Sequence, residues 1–225
     1  MRSFHPDLII EVTSACNRSC SGCYAPNVVS NKSAEELIKE EPGLFLDVRA
    51  LENEIIFWEQ RLPEIISVRG GEPSLHPELP AILKLLKYFG KQVVLETHGR
   101  WLLPESREDY NLLIQAAVEN SITIKISFDS MHGLKAEQLK LITSFLDSQN
   151  FDFLVAITEE TLQGFSETKA LATWIEDSKF IYQEKASSAK DLVKPALGVI
   201  SVSGKLNGEL KSKLASGFDL KEAVG

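Results

Sequence analysis

Apolar residues along this chain fall into short β-branched runs separated by longer stretches of helical periodicity. The runs that predict strands are residues 8–12, 65–69, 92–97, 123–129, 152–158 and 179–184. Between them the pattern predicts helices over 47–61, 77–89, 105–120, 135–148 and 166–175. The second of these opens with Pro77 and stops at Gly90, the start and stop signals expected of a helix. After a long first interval the strands return about every 28 residues, room for one strand, one helix and two short connections. This alternation predicts an α/β fold with a parallel sheet and helical crossovers. Six units are too few for an eight-stranded barrel, and a partial six-stranded (β/α)6 TIM-like barrel fits. The division expected is a core over residues 1–185 and a short C-terminal extension over 186–225, with one more strand at 197–202 and a short helix at 209–215. Residues 25–42 read as a long excursion, weakly helical from 34 to 41.

Strand alternation also predicts what faces where. In the fourth run Ile124, Ile126 and Phe128 share one face, and Lys125, Ser127 and Asp129 the other. The apolar face meets the helices, so the polar face turns into the barrel. The same split puts Glu11 and Thr13, Ser67 and Arg69, and Glu96 and His98 inside. Two readings stand: internal ion pairs, such as Lys125 with Glu11 or Glu96, or ligand contacts near the rim. Glu96, His98 and Asp129, closest to the C-terminal strand ends, are candidates to lie near a substrate; Glu11 and Lys125, deeper down, read as structural.

Composition narrows the class without naming a chemistry. The chain has 225 residues, 44% hydrophobic and 25% charged, ordinary for a globular protein. No apolar run is long enough to span a bilayer, and the first residues lack the apolar core of a signal peptide. Clustered cysteines suit a reducing compartment, so a cytoplasmic location is expected, with no membrane partner. With 24 Lys and Arg against 32 Asp and Glu the net charge is -8, so a nucleic-acid partner is not expected.

All three cysteines, Cys16, Cys20 and Cys23, stand in a C-x3-C-x2-C array directly after the first strand. Three thiolates on one loop can hold three irons of a cubane cluster and leave the fourth open, whereas most electron-transfer clusters use four cysteines. A Cys3His zinc site is the alternative, although His5, His76, His98 and His132 offer no partner at zinc-finger spacing. The second strand ends in Gly70-Gly71-Glu72-Pro73, where two glycines allow close backbone approach and an acid can accept from an ammonium group.

The two motifs together resemble the radical S-adenosylmethionine (SAM) superfamily, and the resemblance covers about residues 8–158. It implies a [4Fe-4S] cluster held by Cys16, Cys20 and Cys23, with SAM on the open iron. It also implies that Gly70, Gly71, Glu72 and Pro73 cradle the SAM amino group. Thr97, in Glu96-Thr97-His98-Gly99, stands where relatives carry Thr-Asn-Gly. Ser127, in Ile126-Ser127-Phe128-Asp129, is the ribose candidate. Relatives often place an aromatic residue before the third cysteine, against the adenine. Gly22 stands there, so Tyr24 and Ile157 are the adenine candidates. His132 or Lys135 could reach the SAM carboxylate.

The activity implied is reductive cleavage of SAM to a 5′-deoxyadenosyl radical and hydrogen abstraction from a peptide or small-metabolite substrate. An external donor such as flavodoxin or ferredoxin would supply the electron. Glycyl-radical-enzyme activases and the deazapurine-forming branch are similar in length and remain alternatives. A non-enzymatic Fe-S carrier or zinc-stabilised interaction protein is the alternative outside enzymes. No catalytic residue beyond cluster and SAM is required.

Overall fold

The computed structural model describes residues 2–3, 8–20, 23, 28–58, 61–128, 132–158, 179–183 and 198–207. The helices expected at 166–175 and 209–215 lie outside these. The strands are β1 (Arg2–Ser3), β2 (Leu8–Glu11), β3 (Ala15–Cys16), β4 (Val28–Val29), β5 (Ile65–Arg69), β6 (Gln92–Thr97), β7 (Thr123–Ser127), β8 (Phe153–Thr158), β9 (Phe180–Gln183), β10 (Gly198–Ile200) and β11 (Leu206–Asn207). The helices are α1 (Ala34–Glu40), α2 (Val48–Trp58), α3 (Leu79–Tyr88), α4 (Asn111–Glu119) and α5 (Ala136–Ser148). None among the described residues is long and apolar enough to cross a membrane.

All six predicted strands form, and the seventh, expected in the extension, joins the same sheet beside β2. The sheet order is β1-β9-β8-β7-β6-β5-β2-β10-β11, parallel throughout except for the last pair. This order requires curvature. Six inter-strand steps separate β1 from β2, which in a flat sheet is about 29 Å at about 4.8 Å per step. Only five residue steps connect Ser3 to Leu8, and an extended chain covers at most about 18 Å in that length. The sheet therefore curves.

Helix ends follow local chemistry. Ser33 caps α1 in a reciprocal capping box with Glu36. Gly90, at φ 71°, closes α3. Two predicted starts move inward. Residues Pro73–Leu75 form a separate 3-10 turn, so α3 begins at Leu79 rather than Pro77. Residues after Leu103 run through successive turns tethered by Arg107 Nε donating to the Leu102 carbonyl at 2.7 Å, which delays α4 to Asn111.

The register confirms the expected faces. Leu8, Ile10, Ile66, Val68, Leu95, Ile124, Ile126, Val155 and Ile200 belong to one apolar core with the buried sides of α2 to α5. On the opposite face Glu11 stands beside Arg69, and Glu96 beside Lys125. Arg69 Nη2 meets Glu11 Oε1 at 3.2 Å, and Lys125 Nζ meets Glu96 Oε2 at 2.9 Å. The Ser67 hydroxyl donates to the other Glu96 oxygen. Glu96, a candidate for substrate contact, is thus committed to an internal pair. Burial pushes its carboxyl pKa up, but Lys125 and Ser67 more than offset this and leave it below the ordinary value.

Lys125→Met is expected to strand the Glu96 charge and destabilise the fold by about 3–5 kcal/mol, read by urea unfolding. A Glu96→Gln/Lys125→Met double variant should recover most of that loss. Because folding depresses the Glu96 pKa, its stabilisation is present above the ordinary carboxylate range and fades as pH falls through the folded value. Removing Lys125 should move that acid loss to higher pH.

Candidate active site at the cysteine loop

The cysteine loop leaves the end of β2 and is fastened at its base. Val12 N–H donates to the Arg69 carbonyl at 2.8 Å, and the Thr13 hydroxyl donates to the Leu44 carbonyl at 2.9 Å. The short β3–β4 pair, with Ser30 N–H donating to the Cys16 carbonyl at 3.0 Å, draws the far end of the loop back to its start. None of the three cysteines is in a disulfide, and they are graded in exposure: Cys16 buried, Cys20 half-buried, Cys23 exposed. Burial pushes the Cys16 thiol up to about 11; a hydrogen bond from the Arg18 backbone opposes this, while Glu72, Cys20 and Cys23 add to it. Cys16 is therefore a neutral thiol at neutral pH, and a bound metal would have to displace its proton. Among the described residues no three His, Cys, Asp or Glu side chains converge on a single ion. Three thiolates that each bind a different iron of one cluster need not do so.

The Gly-Gly-Glu-Pro turn packs directly on this loop. Gly71 N–H donates to the Thr13 carbonyl at 2.7 Å, and Glu72 N–H to the Ala15 carbonyl at 2.9 Å. A Cβ on Gly71 would sit 2.6 Å from the Ala15 carbonyl carbon and 3.1 Å from the Cys16 Cβ; one on Gly70 would run into Thr13. The glycines thus serve a close approach to the chain's own backbone, where the sequence suggested only approach to a ligand.

Glu72 corrects an expectation. Its side chain, 1% exposed, is occupied from within. Oε1 accepts from the Thr97 hydroxyl at 2.7 Å and Ser74 N–H at 3.2 Å, and Oε2 accepts from His98 N–H at 3.1 Å. An ammonium ligand would therefore have to find other acceptors. The Thr97 hydroxyl in turn accepts from Gly99 N–H at 3.0 Å and from Trp101 Nε1 at 2.9 Å. Tyr110, bonded to Ser74, has its pKa raised by burial and by Glu72.

His98 completes the network. Its Nδ1 accepts from Arg100 N–H at 3.1 Å, which leaves the ring proton on Nε2. That N–H faces Asn17 Oδ1 at 3.0 Å, next to Cys16, with Glu72 Oε2 at 3.3 Å. Burial holds the His98 pKa below its ordinary value, so the ring is neutral. It fastens the end of β6 to the cysteine loop and does not lie beside Glu96 in the interior. His76 plays a matching part: Nε2 bonds the Leu46 carbonyl at 2.9 Å while Nδ1 accepts from Glu78 N–H.

Other expectations divide. Ser127 ends β7, half-buried on the same face as Lys125. Pro73 is buried and opens the 3-10 turn. Ile157 is fully buried in the apolar core, on the strand face that meets the helices. Tyr24 and Asp129 lie outside the described residues. Asn17, Arg18, Arg100, Trp101 and Tyr110 were not singled out from the sequence. Asn17 and Arg18 had only their place between the first two cysteines as a signal, and the others had none.

A model of the radical SAM superfamily matches residues 10–171, and the chain belongs to that superfamily, which is characterised by a [4Fe-4S] cluster and SAM. No curated protein matches. Among solved structures, native anSMEcpe with bound AdoMet is similar at 16% identity, with 80% of this chain and 51% of that one covered and a TM-score of 0.57. Native anSMEcpe with bound AdoMet and Kp18Cys peptide gives 16% identity, the same coverage and a TM-score of 0.54. The chain spans about half the length of these solved relatives.

Gly71→Ala should push the turn off the cysteine loop and cost about 2–3 kcal/mol in urea unfolding. Gly43→Ala, with nothing within 4 Å, should stay within about 0.5 kcal/mol of the parent. Because folding lowers the His98 pKa, the unfolded chain binds the extra proton, and stability should fall as pH drops below about 6.5. His98→Asn should reduce that pH dependence, leaving the part due to His76.

Proposed function

We propose that this chain is a radical SAM enzyme in which Cys16, Cys20 and Cys23 hold a [4Fe-4S] cluster. The observation that carries this reading is the backbone-to-backbone docking of Gly70–Gly71–Glu72 on Thr13–Cys16. The donor set suits the group: three thiols on one pinned loop, none of them in a disulfide, and no fourth cysteine in this sequence, so one iron is left for a ligand. When bound, the cluster supplies the electron that cleaves SAM to the 5′-deoxyadenosyl radical, which takes a hydrogen atom from the substrate.

The protein's own part is binding and exclusion of water. With the Glu72 carboxylate occupied, the carbonyls of Gly70 and Gly71 are assigned to the methionyl ammonium. Glu72, Thr97 and Pro73 hold that turn rigid. Ser127 is assigned to the ribose and Tyr24 to the adenine; Ile157, turned into the helix-facing core, is withdrawn from that role. The Glu96–Lys125 and Glu11–Arg69 pairs neutralise the interior below the site, so hydrogen abstraction needs no charged group there.

The substrate assigned is a peptide, taken up with an electron donor of flavodoxin or ferredoxin type. Support comes from the shared fold with anSMEcpe, solved with the Kp18Cys peptide. Residues 1–185 form the core of this reading. The extension over 186–225 holds no cysteine, and its β10 and β11 finish the sheet beside β2.

Anaerobic reconstitution is expected to give about four irons per chain and 5′-deoxyadenosine on reduction with SAM. Replacing any one of Cys16, Cys20 or Cys23 by Ala should abolish 5′-deoxyadenosine; full activity in one variant would remove that residue from the ligand set. Zinc uptake, or a cluster inert towards SAM, would defeat the proposal.

A further inference from the structure

Arg18 lies between the first two cysteines, and Arg100 in the turn after β6. Their guanidiniums converge on one point. A side chain on Gly133 would meet Arg18 Nη2 at 3.3 Å and Arg100 Nη2 at 3.8 Å. Arg100 is anchored there by Nη2 donating to the Gly133 carbonyl at 2.6 Å. The Nε atoms of both are buried without a hydrogen-bond partner. Among the described residues neither arginine has a carboxylate within ion-pair distance, in a chain whose net charge is -8.

Two neighbouring guanidiniums without a counter-ion repel each other, and partial burial strengthens the repulsion. Burial and then Arg18 hold the Arg100 pKa down, and the group that opposes them is Cys20. The Arg18 backbone is also hydrogen-bonded to the Cys16 sulfur. His98 adds no charge of its own here, because its ring is neutral. Arg18 stands two residues from both Cys16 and Cys20, so one member of the pair is carried on the cysteine loop itself.

We infer that Arg18 and Arg100 form a fixed cationic pair that raises the reduction potential of the cluster held by Cys16, Cys20 and Cys23. The inference rests on the cluster reading above. The couple transfers one electron: a low-potential donor protein of ferredoxin or flavodoxin type is oxidised, and the cluster is reduced and gains one negative charge, with no proton required. Fixed positive charge beside the thiolates favours the more negative state, since net charge is one of the levers that set cluster potentials.

The test is an EPR-monitored redox titration of the reconstituted holoenzyme, with iron counted in every sample. Arg100→Gln and Arg18→Gln are each expected to shift the equilibrium about tenfold towards the oxidised state, a midpoint about 59 mV lower for a one-electron couple. Arg100→Lys and Arg18→Lys keep the charge and should stay near the parent. Raising the KCl concentration should lower the parent midpoint towards that of the Gln variants, because salt screens a partly exposed pair. If Arg18→Gln fails to load iron, the Arg100 pair of variants decides. Full iron with an unchanged midpoint in Arg100→Gln overturns the inference alone. Weaker SAM binding by equilibrium dialysis with an unchanged midpoint also overturns it, and assigns the arginines to a ligand carboxylate. A parent protein that takes up no four-iron cluster sinks both the cluster reading and this inference.

Discussion

Two main-chain hydrogen bonds, from Gly71 to Thr13 and from Glu72 to Ala15, fix the arrangement on which the site depends. They can form only where no side chain separates the two segments, so the glycines are demanded by packing as much as by any ligand. Once the segments meet, the Glu72 carboxylate is buried and must be satisfied. Thr97, Ser74 and His98 supply the donors. The ends of β2, β5 and β6 are thereby locked into one unit around the three thiols. Removing a single member would leave a buried acceptor without its partner, which costs more than the hydrogen bond is worth when made.

The inner face of the sheet shows the same economy of charge. A parallel sheet covered on both faces ordinarily presents apolar residues to both. This one carries Glu11, Arg69, Glu96 and Lys125 inside, and the register sets acid beside base on adjacent strands. Neighbouring partners in a parallel ladder share a face, so complementary charges need no long side-chain excursions to meet. Among the described residues the Glu11–Arg69 and Glu96–Lys125 charges on this face are paired, and hydration or a polar ligand can be accommodated nearer the rim.

Much of this was legible in the sequence. Strands read from β-branched runs came out at Ile65–Arg69 and Gln92–Thr97 without change, because period and turn residues agreed there. The juxtaposition of the cysteine loop with Gly70–Glu72 was also foreseen, since both follow adjacent strands. What escaped was whatever depends on side-chain partners from elements far apart in sequence. Nothing local says that the Glu72 carboxylate will meet Thr97, or that His98 will reach Asn17. Two-residue strands such as Ala15–Cys16 and Val28–Val29 have no periodicity to read. The start of α4 moved because an arginine tether, invisible to pattern, holds the preceding turns.

The sheet order bears on how the chain can be assembled during synthesis. Among the described residues β1 pairs only with β9, and the side of β2 away from β5 is covered only by β10. Both partners follow β8 in the sequence, so β1 and β2 must wait with bare edges until residues near 180–200 have emerged. Exposed strand edges invite pairing with the wrong chain. A stalled or truncated nascent chain would therefore be more prone to aggregate than its finished counterpart, though every residue of its cysteine loop had already been made.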